Sequence, residues 1–204
     1  MHVVELNCSG CGGDLTPDMV SCKYCGRAIV ISSFNALSGL NPLQLKTAVK
    51  SLEQGNTASA LLPGGEQAGD SNVNFALGGC YLKLALYDKA LEKFESAIDE
   101  QYSNSEVYFY AAISLLKGKK AFLTPIASIK KAIEYTEAAL MLENRGIYRY
   151  FLAYVKYDFY SRKCLKVSPT WQEELAEARS AGVSAADTAE LFNTLNVQKP
   201  DCLG

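Results

Sequence analysis

The sequence predicts a mostly α-helical protein in which antiparallel helix pairs stack into a solenoid, preceded by a small metal-binding module. Three observations predict it. From about residue 72 to 163 the apolar positions recur with a helical period and fall into pairs. The small residues Gly78, Ala90 and Ala97 stand where paired helices must approach closely, with Leu77, Tyr81 and Phe94 to fill the gaps. At the front of the chain, two Cys-x2-Cys pairs recur, each followed by glycine.

The 204 residues, 49% apolar and 21% charged, suit one medium domain or a domain with a small appendage. Collagen-like, disordered and disulfide-scaffold classes are excluded. Twenty basic against twenty-two acidic side chains give a formal charge of −2, so no global field draws the chain to nucleic acid or an anionic bilayer. The one histidine, His2, lies near the amino terminus, which weighs against Ser-His-Asp or Cys-His catalysis. Residues 1–7 lack a basic segment followed by an apolar one, and no run of about 18 apolar residues occurs later. A cytoplasmic protein without membrane association is expected. In that reducing compartment, paired Cys-x2-Cys motifs hold metal rather than form disulfides.

The front pattern is Cys8-x2-Cys11-x10-Cys22-x2-Cys25, with Gly12 and Gly26 after the pairs. A two-residue spacer lets both thiolates of a pair reach one ion, and glycine can turn backbone N–H groups toward sulfur. Thr16-Pro17-Asp18, between Leu15 and Met19-Val20, predicts a hairpin turn that joins the two knuckles. Four thiolates close a tetrahedral shell, so the metal is structural. These residues resemble a small zinc ribbon. Rubredoxin-type iron uses similar ligands, but only Tyr24 supplies an aromatic nearby, and one zinc ion is the expected cofactor. Residues 1–33 sum to −1 before the thiolates are counted, which repels phosphate. The apolar segment 28–31 is expected to complete the hairpin or lead into the next helix.

Asn41-Pro42 predicts a helix start, with Leu43, Leu45, Val49 and Leu52 as its apolar face until Gly55. Residues 63–71, rich in glycine, read as a linker. Beyond it, Leu77-Gly78-x2-Tyr81 precedes Ala90-x3-Phe94-x2-Ala97, with Tyr87-Asp88 as the break between two helices. This pattern resembles the tetratricopeptide repeat, whose period is about 34 residues. Asn74 replaces the opening aromatic, and Tyr102 stands near the expected proline. Tyr108 lies one period after Asn74, and Tyr148, Phe151, Leu152 and Val155 restart the pattern after a lysine-rich turn and a helix from near Pro125. Ser168-Pro169 and Ser184-x2-Asp187 predict two capping helices that bury Trp171, Leu175, Leu191, Phe192 and Leu195. The organisation is then a ribbon at 1–33, a helix and linker at 34–71, and the repeat domain with its caps at 72–204.

The helix read over 145–162 has two apolar sides at about 100° per residue. Tyr148, Phe151, Leu152, Val155 and Phe159 share one; Tyr150, Ala153, Tyr154 and Tyr157 share the other. The second side is either covered by the capping helices or a tyrosine-lined recognition groove. Charge is segregated as well. Residues 114–133 hold five lysines and no acid, 145–166 six basic side chains against Asp158, and 88–106 six acids against two lysines. Solvated helix faces give such runs; the sharper reading is an acidic peptide held by Arg149, Lys156 and the neighbouring Tyr150, Tyr154 and Tyr157. Cys164 reads as a surface thiol and Cys80 as a small core residue.

The resemblance implies binding of another protein or peptide, not catalysis. A non-catalytic adaptor or scaffold is therefore the expected function, with the ribbon as second contact or brace. The alternative is a nucleic-acid-associated factor that uses the ribbon and the basic helices. An enzyme ranks third, because no phosphate-cradling loop, open metal site or paired acid and base stands out.

Overall fold

Asn41 starts the first helix by local chemistry alone. Its side chain accepts the N–H groups of Leu43 and Gln44, and Gln44 Oε1 accepts the Asn41 N–H at 2.9 Å. The structure, a computed structural model, describes residues 6–7, 11, 13–15, 22–25, 28–29, 37, 40–54, 57–58, 70–100 and 104–204. Eight α-helices stand among the described residues, and the chain divides into two units, 1–102 and 103–204. That division falls inside the stretch read from sequence as one repeat domain.

In the first unit, α1 (Pro42–Glu53) buries Leu45, Ala48 and Leu52. Leu43, assigned to that face by its spacing, is 74% exposed. The described residues before α1 carry only two-residue ladders. β1 (Leu6–Asn7) pairs antiparallel with β2 (Asp14–Leu15), while β3 (Ala28–Ile29) pairs parallel with β4 (Thr57–Ala58). The ribbon β-hairpin is not supported by these residues; its predicted turn, 16–18, lies outside the described ones. The segment at 28–29 does not complete a hairpin because its partner comes after α1, and a crossover of that kind brings strands together in parallel.

α2 (Asp70–Lys83) and α3 (Tyr87–Asp99) pack as a pair. At Gly78 an added Cβ would stand 2.7 Å from the Phe94 ring, so glycine is what lets that buried ring lie against the α2 backbone. Asn74, in place of an aromatic, donates to Glu100 just beyond α3 at 3.0 Å. Tyr81 donates to Glu53 at the end of α1. The break falls earlier than Tyr87-Asp88: Leu84, Ala85 and Leu86 make the turn, with Ala85 at φ +57°. Asp88 instead occupies the first turn of α3, where a carboxylate complements the helix dipole. α2 begins at Asp70, so the last two residues of the predicted linker are helical.

In the second unit, α4 (Ser105–Leu115) and α5 (Ile126–Leu142) form the next adjacent pair. The connection runs through Lys117 and Gly118, both with positive φ, and a 3-10 turn at Ala121–Leu123. α6 (Gly146–Val155) is shorter than its predicted 145–162 span. A π-helical turn at Lys156–Tyr160 and a 3-10 turn at Ser161–Lys163 replace its second half. α7 (Trp171–Ser180) is capped by Thr170 with Glu173, not by Ser168-Pro169. α8 (Ala185–Leu195) is capped by Ser184 with Asp187 as predicted. No helix among the described residues is long and apolar enough to cross a membrane.

Both sides of α6 are covered. Phe109 of α4 meets Tyr148 at a tilt and Phe151 edge-on, with centroids at 4.5 and 5.7 Å, while Phe192 of α8 meets Tyr150 and Tyr154 edge-on at 6.3 and 5.3 Å. Gly146 makes the α6–α7 approach possible, since a Cβ there would stand 2.8 Å from the Ala178 carbonyl oxygen. Two-sided apolar patterning thus produces a central helix.

Candidate metal centre and interaction surface

The first knuckle's second cysteine and both cysteines of the second knuckle converge. The Sγ atoms of Cys11, Cys22 and Cys25 all lie within 4.8 Å of one another, and Cys11 Sγ and Cys22 Sγ are 3.5 Å apart. That separation exceeds a disulfide's by far, about 2.05 Å. It matches a shared ion: with Zn–S near 2.3 Å, a tetrahedron's edge is about 3.8 Å. Cys22 is buried while Cys11 and Cys25 face solvent. The three cysteines could therefore hold a metal ion, and the donor set fits a thiophilic one. Cys8, the fourth predicted ligand, lies outside the described residues.

Close packing holds the two knuckles together. A Cβ on Gly13 would stand 2.3 Å from the Tyr24 ring, so the backbone after Cys11 lies directly on the side chain that precedes Cys25. Lys23 sits 4.9 Å from the same ring's centroid. The sequence signal for this glycine was the run Gly12-Gly13, of which only the first was assigned a role.

The side chains assigned to a recognition groove are largely packed into the fold. Tyr150, Tyr154 and Lys156 are buried, Tyr157 and Arg149 half-buried. Tyr150 donates to the Leu203 carbonyl oxygen at 2.8 Å, and the Tyr154 hydroxyl accepts the Ala121 N–H at 3.2 Å. Burial pushes the Tyr154 phenol up to about 12. The Tyr157 ring meets Trp171 edge-on at 5.3 Å. Lys156 Nζ lies 2.6 Å from Glu174 Oε1, and Arg149 Nη1 lies 3.5 Å from Glu174 Oε2. The structure thus brings Arg149 and Lys156 together on one carboxylate of the chain itself. A reading of residues 145–166 alone counted both cations as free, because Glu174 lies one helix further on.

The π-helical turn shifts the residues after Val155 out of the α6 register. Asp158 is buried, accepts the Phe122 N–H at 2.8 Å and pairs with Arg162. Arg162 lies 4.6 Å from the Phe122 centroid, and Lys163 lies 3.7 Å from that of Phe159. Such turns widen the helix and re-aim side chains, often at functional sites. Sequence period reading missed this because it extrapolated 3.6 residues per turn past Val155. Cys164 is exposed in a left-handed conformation, and Cys80 is buried with its thiol pushed up to about 12.

Searches against known protein families, curated proteins and solved structures return no match for this chain.

Proposed function

We propose that the chain is a non-catalytic cytoplasmic adaptor whose helix pairs form a tetratricopeptide-like surface for a partner protein or peptide, with one zinc ion bracing its front. Cys11, Cys22 and Cys25 would hold the zinc with Cys8 as fourth ligand. A closed thiolate shell would tie the two knuckles together and leave no position for a substrate. The observation that carries the binding reading is the α2–α3 pair closed by Gly78 against Phe94. Close approach through a small residue, followed by a second adjacent pair, is the arrangement that builds helical-repeat scaffolds.

The buried ionisable groups support a structural rather than catalytic economy. Lys156 is matched to Glu174 and Asp158 to Arg162, each with a partner within 2.6 Å. The first pair ties the π-helical turn to α7, and the second is an i,i+4 pair within the segment that follows α6.

Affinity capture with the immobilised full chain, followed by reconstitution with each purified captured protein, tests the proposal. A stoichiometric complex that needs the folded chain is expected. Failure of every captured protein to form one, or chemical turnover by the purified chain, would overturn it.

A further inference from the structure

Beside the π-helical turn lies a cavity of about 510 Å³, bounded by that turn, by Lys120 after α4 and by the tail at residues 198–202. Its size is within the range of ligand pockets, roughly 300–1,000 Å³. Lys120, Arg162 and Lys199 border it, against the carboxylates of Asp158 and Asp201.

These charges are not equivalent. Asp158 is buried and already accepts from the Phe122 N–H and the Arg162 guanidinium. That pairing and the Phe122 ring hold Arg162 in a fixed orientation, yet its side chain remains 42% exposed, so further N–H donors face outward. Lys120 and Lys199 are exposed and form no ion pair among the described residues. The wall also contains Tyr154, 1% exposed, whose hydroxyl accepts from Ala121 and donates to no described group. An oriented guanidinium and two ammonium groups thus border one cavity, opposed by Asp201 and by Asp158, which Arg162 already pairs.

We propose that this cavity binds an aspartate- or glutamate-rich segment of the partner protein, its carboxylates taken by Arg162, Lys120 and Lys199. The proposal rests on the adaptor reading and gives the partner a chemistry. A carboxylate matches a fixed guanidinium edge through paired N–H donors. A nucleic acid offers phosphates to the same cations, and the oligonucleotide arm of the test separates it from a carboxylate-bearing peptide. The cations assigned from sequence, Arg149 and Lys156, are matched internally by Glu174, and Arg162 is paired with Asp158, whereas Lys120 and Lys199 at the cavity form no ion pair among the described residues.

Trp171 is the chain's one tryptophan and touches Tyr157, which lines the cavity, so its emission reports occupancy. The full chain is titrated with a synthetic Asp/Glu-rich peptide and with its Asn/Gln counterpart. A saturable response to the acidic peptide alone is expected, weakened at least about tenfold in the K120E/K199E double variant, whose two exposed sites leave the fold intact. Equal response to both peptides, unchanged affinity in the double variant, or tighter binding of a single-stranded oligonucleotide would overturn the proposal. If the double variant still captures a protein partner as well as the parent does, the cavity assignment falls and the adaptor reading stands. If the acidic peptide binds through these lysines while no protein forms a stoichiometric complex, the cavity stands as a carboxylate site and the adaptor reading falls.

Discussion

Lys156 and Glu174 form an ion pair 2.6 Å long with 2% and 4% of their side chains exposed, linking the π-helical turn to α7. Removing one partner strands a buried charge. Glu174→Ala should therefore cost about 3–5 kcal/mol of unfolding free energy, and K156M/E174L, which replaces the pair by apolar groups, far less. Denaturant unfolding of both variants checks this. A Glu174→Ala loss below about 1 kcal/mol would mean that the pair behaves as a surface contact.

Gly78 faces Phe94 across the α2–α3 pair. Alanine improves intrinsic helix propensity by about 1 kcal/mol, but its Cβ would stand 2.7 Å from a fully buried ring, which must shift to admit it. Overpacking of this kind costs about 1–3 kcal/mol, so Gly78→Ala should be net destabilising. Phe94→Leu in the same chain should recover part of the loss. A more stable Gly78→Ala protein, measured by melting temperature, would show that the pair is loosely packed.

Tyr154 separates groove from core in a single measurement. Its burial against Phe192 and Phe151 predicts a loss of about 3–5 kcal/mol for Tyr154→Ala. A near-wild-type melting temperature together with lost partner binding would return this tyrosine to a recognition surface.

The cysteine cluster makes a stoichiometric prediction. Elemental analysis of protein purified without chelator should return about one zinc per chain. Cys22→Ser should abolish it, since Cys22 is the buried member of the cluster. Because the chain divides at residue 102, far-ultraviolet circular dichroism should retain the helices of the second unit after metal loss. Collapse of all helical signal would show that the two units fold as one.

Alkaline stability has a defined sign. Burial raises the Cys80 thiol from an ordinary value near 9.0 to about 12 and the Tyr154 phenol from near 10.0 to about 12. Between these limits the unfolded chain has lost protons that the folded chain keeps, so stability is full below about pH 9 and falls as pH rises toward 12. Cys80→Ala should flatten the first part of that fall. Parallel pH–stability curves for parent and variant would contradict it.

Much of the helical layout was legible in the sequence because its signals are local. Asn41 and Ser184 cap the helices they precede, and Pro125 stands directly before α5, all as read. The Cys11, Cys22 and Cys25 cluster was legible from spacing, because a two-residue spacer constrains where two thiols can point. Other features depended on distant partners. The Leu84–Leu86 turn hides among apolar residues with no glycine or proline to mark it, and Ala85 supplies the positive φ. Segment 28–29 pairs with 57–58 rather than within a ribbon, a choice made only once α1 has crossed over.

The sequence by itself determined where helices begin, which small residues let α2 and α3 touch, and that Cys11, Cys22 and Cys25 gather, since each leaves a mark in the pattern: a cap, a small residue in an apolar period, a two-residue spacer. Tertiary structure alone decided what the second side of α6 does. Packing by α7, α8 and the tail turned Tyr150 and Tyr154 inward and gave Lys156 to Glu174. It also left Lys120, Arg162 and Lys199 around one open cavity. Burial and charge pairing are properties of neighbours in space, and a periodic pattern records that a face is apolar without recording what covers it.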